Sequence, residues 1–255
     1  MQANGAQVHV EQWGEQGTPV LLLHGWGCAI SHFEPIINDL KKDHRVTALD
    51  FPGHGQSGRP PEPWGVPEYA ECVKAVMGQM HLEKCDLIAH SFGGRVALWL
   101  AANEPHMVNR MILTGCAGLR SEPTEEQKKR SAVFQKKKKL LQGLAKAPVV
   151  GFAAENLLEK LRKKYGSADY NALDAEMRKT FVKVISQDLR PLLPKIQAST
   201  LLVWGENDSA TPLWMGQVME KEIPDAGLVI FENDDHFAYL HEWPRFLAVA
   251  RAFLP

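Results

Sequence analysis

The chain contains six short runs of consecutive apolar residues, each bounded by polar or turn-forming residues. Continuous apolar runs without alternation are typical of strands in a parallel sheet that is covered on both faces. The six predicted strands are 20–24, 45–50, 85–90, 110–114, 199–204 and 227–231. Segment 7–13 instead alternates between apolar and polar residues, which indicates an antiparallel edge strand.

Apolar residues at helical spacing lie between most of these strands. They predict helices over 31–42, 67–80, 92–103 and 243–254. Because strands and helices alternate along the chain, the pattern predicts an α/β fold with a mostly parallel central sheet flanked by helices.

One interval breaks this alternation. About 80 residues separate the strand at 110–114 from the strand at 199–204, whereas connections in such folds are about 2–6 residues or one helix long. The interval has helical patterns of its own, which begin near Ser121 and continue over 149–165 and 167–187. We therefore predict a core formed by 1–117 and 195–255, with 118–194 inserted as a helical cap, or lid.

Composition limits the class of protein. Of the 255 residues, 45% are hydrophobic and 23% are charged, as in ordinary globular proteins. No apolar run approaches the roughly 18–20 residues that span a membrane, and the first residues lack a signal-peptide pattern, so we expect a cytoplasmic location. The four cysteines have no metal-site spacing and are expected to be buried, reduced thiols.

Charge is distributed unevenly along the chain. Between Arg120 and Arg190 there are 17 basic and 9 acidic residues, so this interval carries about +8 while the remainder carries about −9. One interpretation is a solvated helix surface. The other is an attractive field for an acidic partner or substrate. Nucleic acid is not expected, because no recognisable binding motif accompanies the lysines.

Ser91 stands between the predicted strand at 85–90 and the predicted helix at 92–103. Serine is an ordinary helix N-cap, but a serine on a sharp strand-to-helix turn can also be presented as a nucleophile. Ala89 and Gly93, two positions to either side, are small enough for such a strained turn.

Two polar residues downstream complete a possible catalytic set. Asp208 follows the predicted strand at 199–204, and His236 follows the predicted strand at 227–231. The chain order Ser, Asp, His is that of the α/β hydrolases. All three residues lie just past strand carboxyl ends, where open α/β sheets build their sites.

The segment His24-Gly25-Trp26-Gly27 follows the first predicted parallel strand. Acyl transfer needs two donors aimed at the developing oxyanion. The backbone N–H groups of Trp26 and Phe92 are the candidates. The turn at 50–58, rich in glycine, is assigned a structural role.

Other polar residues near these positions are expected to be structural. Asp234 and Asp235 are too near His236 in sequence to be its orienting acid. His90 adjoins Ser91, but successive strand residues point to opposite faces, so we expect it to point elsewhere. His54 and His241 are expected to serve in turns and packing.

Five motifs together resemble the α/β-hydrolase superfamily over nearly the whole chain outside the predicted lid. They are HGWG at 24–27, DFPGHGQSG at 50–58, AHSFGG at 89–94, WGENDSATP at 204–212 and DDHFAYLHEWP at 234–244. The resemblance implies an α/β-hydrolase fold with a cap after the sixth strand. It also implies Ser91 as nucleophile, His236 as base, Asp208 as acid, and Trp26 and Phe92 as the oxyanion hole. Ala89 departs from the glycine usual in the family.

The resemblance further implies a serine carboxylesterase that acts on a small ester and needs no metal or organic cofactor. Within the superfamily, the chain is similar to the group of pimeloyl-carrier-protein methyl ester esterases and small carboxylesterases, which makes an acidic acyl carrier protein a candidate partner at the basic lid. A lactonase, a C–C bond hydrolase and a low-turnover ligand sensor stay open as alternatives. Candidate substrate-binding residues are Trp26, Phe92, Phe134, Phe152 and Trp214.

Overall fold

A computed structural model describes residues 1–120, 125–144, 156–161 and 168–254 of the chain. Its main sheet has seven strands in the order β3-β5-β4-β6-β7-β8-β9, and all neighbouring pairs are parallel except β3 with β5. These strands are β3 (Val10–Trp13), β4 (Pro19–Leu23), β5 (Arg45–Leu49), β6 (Cys85–His90), β7 (Val108–Thr114), β8 (Ser199–Gly205) and β9 (Ala226–Phe231). A separate hairpin pairs β1 (Gln2–Ala3) with β2 (Ala6–Gln7).

Helices occupy the connections between the strands. Those in the described residues are α1 (Glu34–Leu40), α2 (Val66–Gln79), α3 (Phe92–Asn103), α4 (Glu125–Leu144), α5 (156–161), α6 (Ala168–Ala172), α7 (Ala175–Ser186), α8 (Trp214–Glu222), α9 (Ala238–His241) and α10 (Trp243–Phe253). Short 3₁₀ helices occur at Ile30–Phe33, Pro105–Met107 and Arg190–Lys195. The predicted α/β fold with a mostly parallel, helix-flanked sheet is confirmed.

Both faces of the sheet are buried, which explains the continuous apolar runs. In β4, Leu21 and Leu23 join one hydrophobic cluster, whereas Val20 and Leu22 join the other. When successive side chains point to two covered faces, most of them are apolar. The local signal for these strands is therefore strong, and the six predicted parallel strands agree with the structure to within two residues at each end.

The predicted edge strand is shorter than expected. Only β3 pairs with the main sheet, while residues 6–7 belong to the hairpin, whose turn uses Asn4 and Gly5 at positive φ. The predicted helix at 31–42 is also divided, because a 3₁₀ turn precedes α1 and Pro35 lies in the first turn of α1.

Residues 1–119 and 182–255 form one compact unit, and residues 120–181 form another. Within the second unit, Glu159 forms an ion pair with Arg178, at 2.9 Å. The predicted helix at 167–187 is interrupted at Asp174, whose Oδ1 accepts hydrogen bonds from the N–H groups of Glu176 and Met177, as an N-cap does. The predicted features at 121–124, 145–155 and 162–167 lie outside the described residues.

Residues 182–195 pack with the first unit. The buried Arg95 donates hydrogen bonds to the carbonyls of Val184 and Gln187, at 3.3 and 2.9 Å. The Gln187 side chain accepts one from the N–H of Val66, at 2.6 Å. These bonds hold the segment that leads into β8. The extent of the cap, 118–194, stays a prediction.

All four cysteines, Cys28, Cys72, Cys85 and Cys116, are buried and outside any disulfide, which agrees with the prediction. Burial raises the pKa of the Cys72 and Cys85 thiols to about 12, so both are inert at neutral pH. In the described part of the chain, no helix combines the length and apolar character that crossing a membrane requires.

Candidate active site

Ser91 is the single residue between the end of β6 and the start of α3. Its backbone has φ +50° and ψ −107°, a conformation that costs a non-glycine residue about 1–3 kcal/mol. The turn is held from both sides by the end of β7 and the loop that follows it, because Ser91 N–H donates to the carbonyl of Thr114 at 3.0 Å and Ser91 O accepts from Ala117 N–H at 3.1 Å. The surrounding structure thus imposes the strained turn.

Gly93 permits the close contact between α3 and the end of β4. A Cβ atom added there would lie 2.1 Å from the carbonyl oxygen of Leu23 and 2.8 Å from that of His24. No side chain fits at that distance, so the backbone contact requires glycine. Ala89, on the other side of Ser91, is fully buried in β6, which shows that its methyl group is accommodated.

The direction of the Ser91 hydroxyl separates the two interpretations of this residue. Ser91 occupies the N-cap position of α3, but its side chain makes no capping hydrogen bond. Its Oγ instead lies 3.0 Å from Nε2 of His236, which is 145 positions along the chain. The serine hydroxyl is therefore directed at an imidazole rather than at the helix terminus.

The opposite side of the His236 ring contacts Asp208. His236 Nδ1 lies 2.7 Å from Asp208 Oδ2. Because an ionised carboxylate only accepts hydrogen bonds, Nδ1 carries the proton and Nε2 presents a lone pair toward the Ser91 hydroxyl. This geometry holds the imidazole in the tautomer that can remove a proton from Ser91.

The Asp208 carboxylate is buried and held on both oxygens. Oδ1 accepts hydrogen bonds from the backbone N–H groups of Ala210 and Thr211, at 2.9 and 2.8 Å. Oδ2 accepts one from the Thr211 hydroxyl at 2.8 Å, besides the bond from His236. These donors compensate for the burial of the charge.

Asp234 and Asp235 are engaged elsewhere. Asp234 Oδ1 pairs with Nδ1 of His241 at 2.8 Å and raises the pKa of that imidazole. Asp235 Oδ1 accepts from the N–H of Phe237 at 3.0 Å. The structure brings Asp208, and neither of these acids, to His236 Nδ1.

Among the described residues, Asp234, Asp235 and His241 also have potential metal-ligand atoms within 4.8 Å of one another. These side chains are partly or fully exposed and bonded to each other.

We expected His90 to point away from the site, but the structure places it against His236. The two ring centroids are 4.7 Å apart. His90 is buried, and its Nδ1 lies 3.0 Å from the Thr114 hydroxyl. Burial lowers the pKa of His90 well below its usual value, so it packs against His236 as a neutral ring.

Thr211 and Gly115 also belong to the site, and neither was expected there from the sequence. Gly115 has φ +46°, and a Cβ atom there would lie 3.0 Å from His236 Nδ1 and 3.1 Å from Asp208 Oδ2. Its carbonyl oxygen lies 2.9 Å from the Thr211 hydroxyl. The only local signal was the position of Thr211, three residues after Asp208.

The loop after β4 is shaped by the neutral side chain of His24. Its Nδ1 donates to the carbonyl of Gly25 at 2.7 Å, and its Nε2 accepts from the N–H of Phe51 at 2.9 Å. Burial lowers the pKa of His24 to about 3, so this pattern holds at neutral pH. Gly25 lies against the site, since a Cβ there would be 2.7 Å from the His90 ring.

The turn at 50–58 supports this loop through the Asp50 carboxylate. Asp50 accepts hydrogen bonds from the N–H groups of Ile30 and Gln56, at 2.8 and 2.9 Å. At Gly55, which has φ +52°, an added Cβ would lie 2.2 Å from the same carboxylate. These contacts agree with the structural role expected for the turn.

The predicted substrate-binding residues have different surroundings. Phe92 is 3% exposed, and its ring packs 4.9 Å from the rings of Phe51 and Tyr69, so its side chain belongs to the core. Trp26 is half-buried, with its ring 5.3 Å from that of Phe92. Trp214, the first residue of α8, is also half-buried.

Phe134 lies half-buried in α4 of the second compact unit. Phe152 lies outside the described residues. Binding roles for these aromatic residues stay predictions.

Comparison with known proteins adds independent information. A family model described as alpha/beta hydrolase fold matches residues 18–242. A pimeloyl-[acyl-carrier protein] methyl ester esterase of Neisseria meningitidis is 30% identical over 92% of this chain and 93% of its own length. A 2-hydroxy-6-oxononadienedioate/2-hydroxy-6-oxononatrienedioate hydrolase of a Pseudomonas species is 25% identical over 98% and 92%. An esterase from Exiguobacterium antarcticum has a similar structure, with a TM-score of 0.74, 25% identity and coverage of 99% and 97%.

Proposed function

Because the chain belongs to the alpha/beta hydrolase fold family, we propose that it is a serine carboxylesterase with a triad of Ser91, His236 and Asp208. One observation carries the proposal. Two hydrogen bonds connect the three side chains in series, with 3.0 Å between Ser91 Oγ and His236 Nε2 and 2.7 Å between His236 Nδ1 and Asp208 Oδ2. Three loops of the sheet supply these groups in the order that nucleophilic acyl transfer needs.

In the first half of the reaction, His236 Nε2 removes the Ser91 hydroxyl proton while Oγ attacks the ester carbonyl carbon. The resulting imidazolium is stabilised by Asp208. The oxyanion is bound by the N–H groups of Trp26 and Phe92, and the second of these lies at the positive N-terminal end of α3. His236 then protonates the alkoxide as it leaves, and an acyl-enzyme remains on Ser91.

In the second half, a water molecule takes the place of the alcohol. His236 removes one of its protons, and the resulting hydroxide attacks the acyl carbon. Collapse of the tetrahedral intermediate returns the proton from His236 to Ser91 Oγ and releases the carboxylic acid. Neither step requires a metal or an organic cofactor.

For the substrate, we propose a methyl ester carried on an acidic acyl carrier protein. The relative with this substrate class in its name is 30% identical over 92% of the chain. In addition, α4 contains seven basic and two acidic residues. Of its four consecutive lysines, Lys136, Lys137 and Lys139 are exposed. A cationic surface raises the association rate with an anionic partner.

The triad is tested with Ser91→Ala and with a fluorophosphonate probe. We expect the variant to lose about 10⁴–10⁶-fold in kcat on a p-nitrophenyl ester, while its Tm stays close to that of the wild type. The probe is expected to label Ser91 in the wild type. If the variant keeps more than about a tenth of wild-type activity, or if the probe labels another serine, Ser91 is not the nucleophile.

A substrate panel separates the alternatives within the family. It contains short-chain p-nitrophenyl esters, a carrier-bound methyl ester, a lactone and a dienoic diketone. Preference for the carrier-bound ester supports the substrate proposal, whereas preference for the lactone or the diketone indicates a lactonase or a C–C bond hydrolase. Labelling of Ser91 without turnover of any substrate indicates a ligand-sensing protein.

A further inference from the structure

The hydroxyl group of Thr211 lies at the junction of three groups in the candidate active site. Its Oγ1 is 2.8 Å from Asp208 Oδ2, 2.9 Å from the carbonyl oxygen of Gly115 and 3.2 Å from His236 Nδ1. Thr211 is 4% exposed, so water does not readily compete for these contacts.

The single hydroxyl hydrogen can satisfy only one of the two neighbouring oxygens at a time. The carboxylate is the stronger acceptor because it is charged, so the hydrogen points to Asp208 Oδ2. Thr211 then donates to both oxygens of the same carboxylate, through its hydroxyl to Oδ2 and through its backbone N–H to Oδ1, at 2.8 Å each. Two donors from one residue hold the carboxylate plane at a fixed angle to His236.

We infer that Thr211 is a positioning residue that fixes the Asp208 carboxylate and limits how strongly it stabilises the His236 imidazolium. The hydroxyl shares Oδ2 with His236 Nδ1–H, and each donor on that oxygen weakens its attraction for the other. Without the hydroxyl, Oδ2 is free to attract the imidazolium more strongly. Protonation of the base would then compete with catalysis at a higher pH. His90, the titratable ring that packs 4.7 Å from His236, is buried with a lowered pKa and adds no positive charge there.

This inference rests on the proposed triad, and its test uses three variants. Thr211→Val removes the hydroxyl while keeping the shape of the side chain, and Thr211→Ser restores the hydroxyl. Thr200→Val is the matched control, because Thr200 is 2% exposed and its hydroxyl donates to the carbonyl of Ala198 at 2.9 Å without contacting the triad.

For Thr211→Val we expect kcat on a p-nitrophenyl ester to fall about 10–100-fold, in line with the loss of one hydrogen bond to a charged group. The acid limb of the kcat/KM profile is expected to move to higher pH. Thr211→Ser is expected to stay within about threefold of wild-type kcat. Thr200→Val is expected to change Tm while leaving the pH profile unchanged.

Inactivation by a fluorophosphonate, followed against pH, gives a second readout that needs no ester turnover. Its acid limb is expected to shift in the same direction in Thr211→Val. A Thr211→Val protein with wild-type kcat and an unshifted limb in both assays would overturn the inference, while loss of activity in Ser91→Ala would show that the triad itself still stands. A lower Tm without a shifted limb would mean that the hydroxyl only supports the fold.

Discussion

Gly93 gives the sharpest test of how the nucleophile turn is built. A Cβ atom there would lie 2.1 Å from the Leu23 carbonyl oxygen, whereas real Cβ contacts are essentially never shorter than 3.0 Å. In Gly93→Ala, either the first turn of α3 or the end of β4 must therefore move by about 1 Å. The residues at risk are Phe92, whose N–H is the proposed oxyanion donor, and Ser91.

The size of the effect follows from two opposing contributions. Overpacking lowers the free energy of unfolding by about 1–3 kcal/mol, whereas replacing a helical glycine by alanine raises it by about 0.5–1 kcal/mol. We therefore expect the free energy of unfolding to fall by about 1–2 kcal/mol, which lowers Tm by about 2–8 °C for a chain of this length. A 1 Å displacement of catalytic groups costs about 100-fold in rate, so kcat/KM on a p-nitrophenyl ester is expected to fall by at least that factor.

Gly78→Ala is the matched control. Gly78 also lies in a helix, α2, but nothing lies within 4 Å of an added Cβ. This substitution is expected to leave kcat/KM unchanged and to raise Tm by about 1–4 °C, because it stabilises the helix without overlap. The assays are thermal unfolding followed by circular dichroism and steady-state ester hydrolysis. Wild-type Tm and kcat/KM in Gly93→Ala would refute the argument that this contact shapes the turn.

Two further predictions concern the triad acid and the basic helix. Asp208→Asn is expected to reduce kcat by about 10³–10⁴-fold, because the amide favours the wrong imidazole tautomer. Asp235→Asn is expected to have a much smaller effect in the same ester assay. The reverse ranking would mean that the acid is misassigned. Replacing all of Lys136–Lys139 by Glu is expected to lower kcat/KM for a carrier-bound methyl ester at low salt but to leave kcat/KM for a small neutral ester unaffected. The difference should shrink as salt rises, because exposed charges more than about 8 Å apart are largely screened at physiological ionic strength. Equal kcat/KM of both proteins on the carrier-bound ester at low salt would remove the carrier-protein proposal.

Much of the fold was predictable because its strongest signals are local. A strand buried on both faces is apolar at most positions, so β4 and β8 could be recognised from their own residues. The nucleophile turn was predictable for a similar reason, since the small residues that it needs stand two positions to either side of Ser91. Boundaries were less certain where a cap divides a helix, as Asp174 does between α6 and α7.

The sequence by itself therefore determined the sheet, the turn that presents Ser91, and the loops that carry Asp208 and His236. Only the tertiary structure decided which atoms meet. It brought His236 to Asp208, as expected from the sequence, and it placed the Thr211 hydroxyl and the His90 ring against His236, which was not expected from the sequence. The physical reason is that these contacts join loops from different strands, so they depend on strand order and register within the sheet, which no local pattern of residues records.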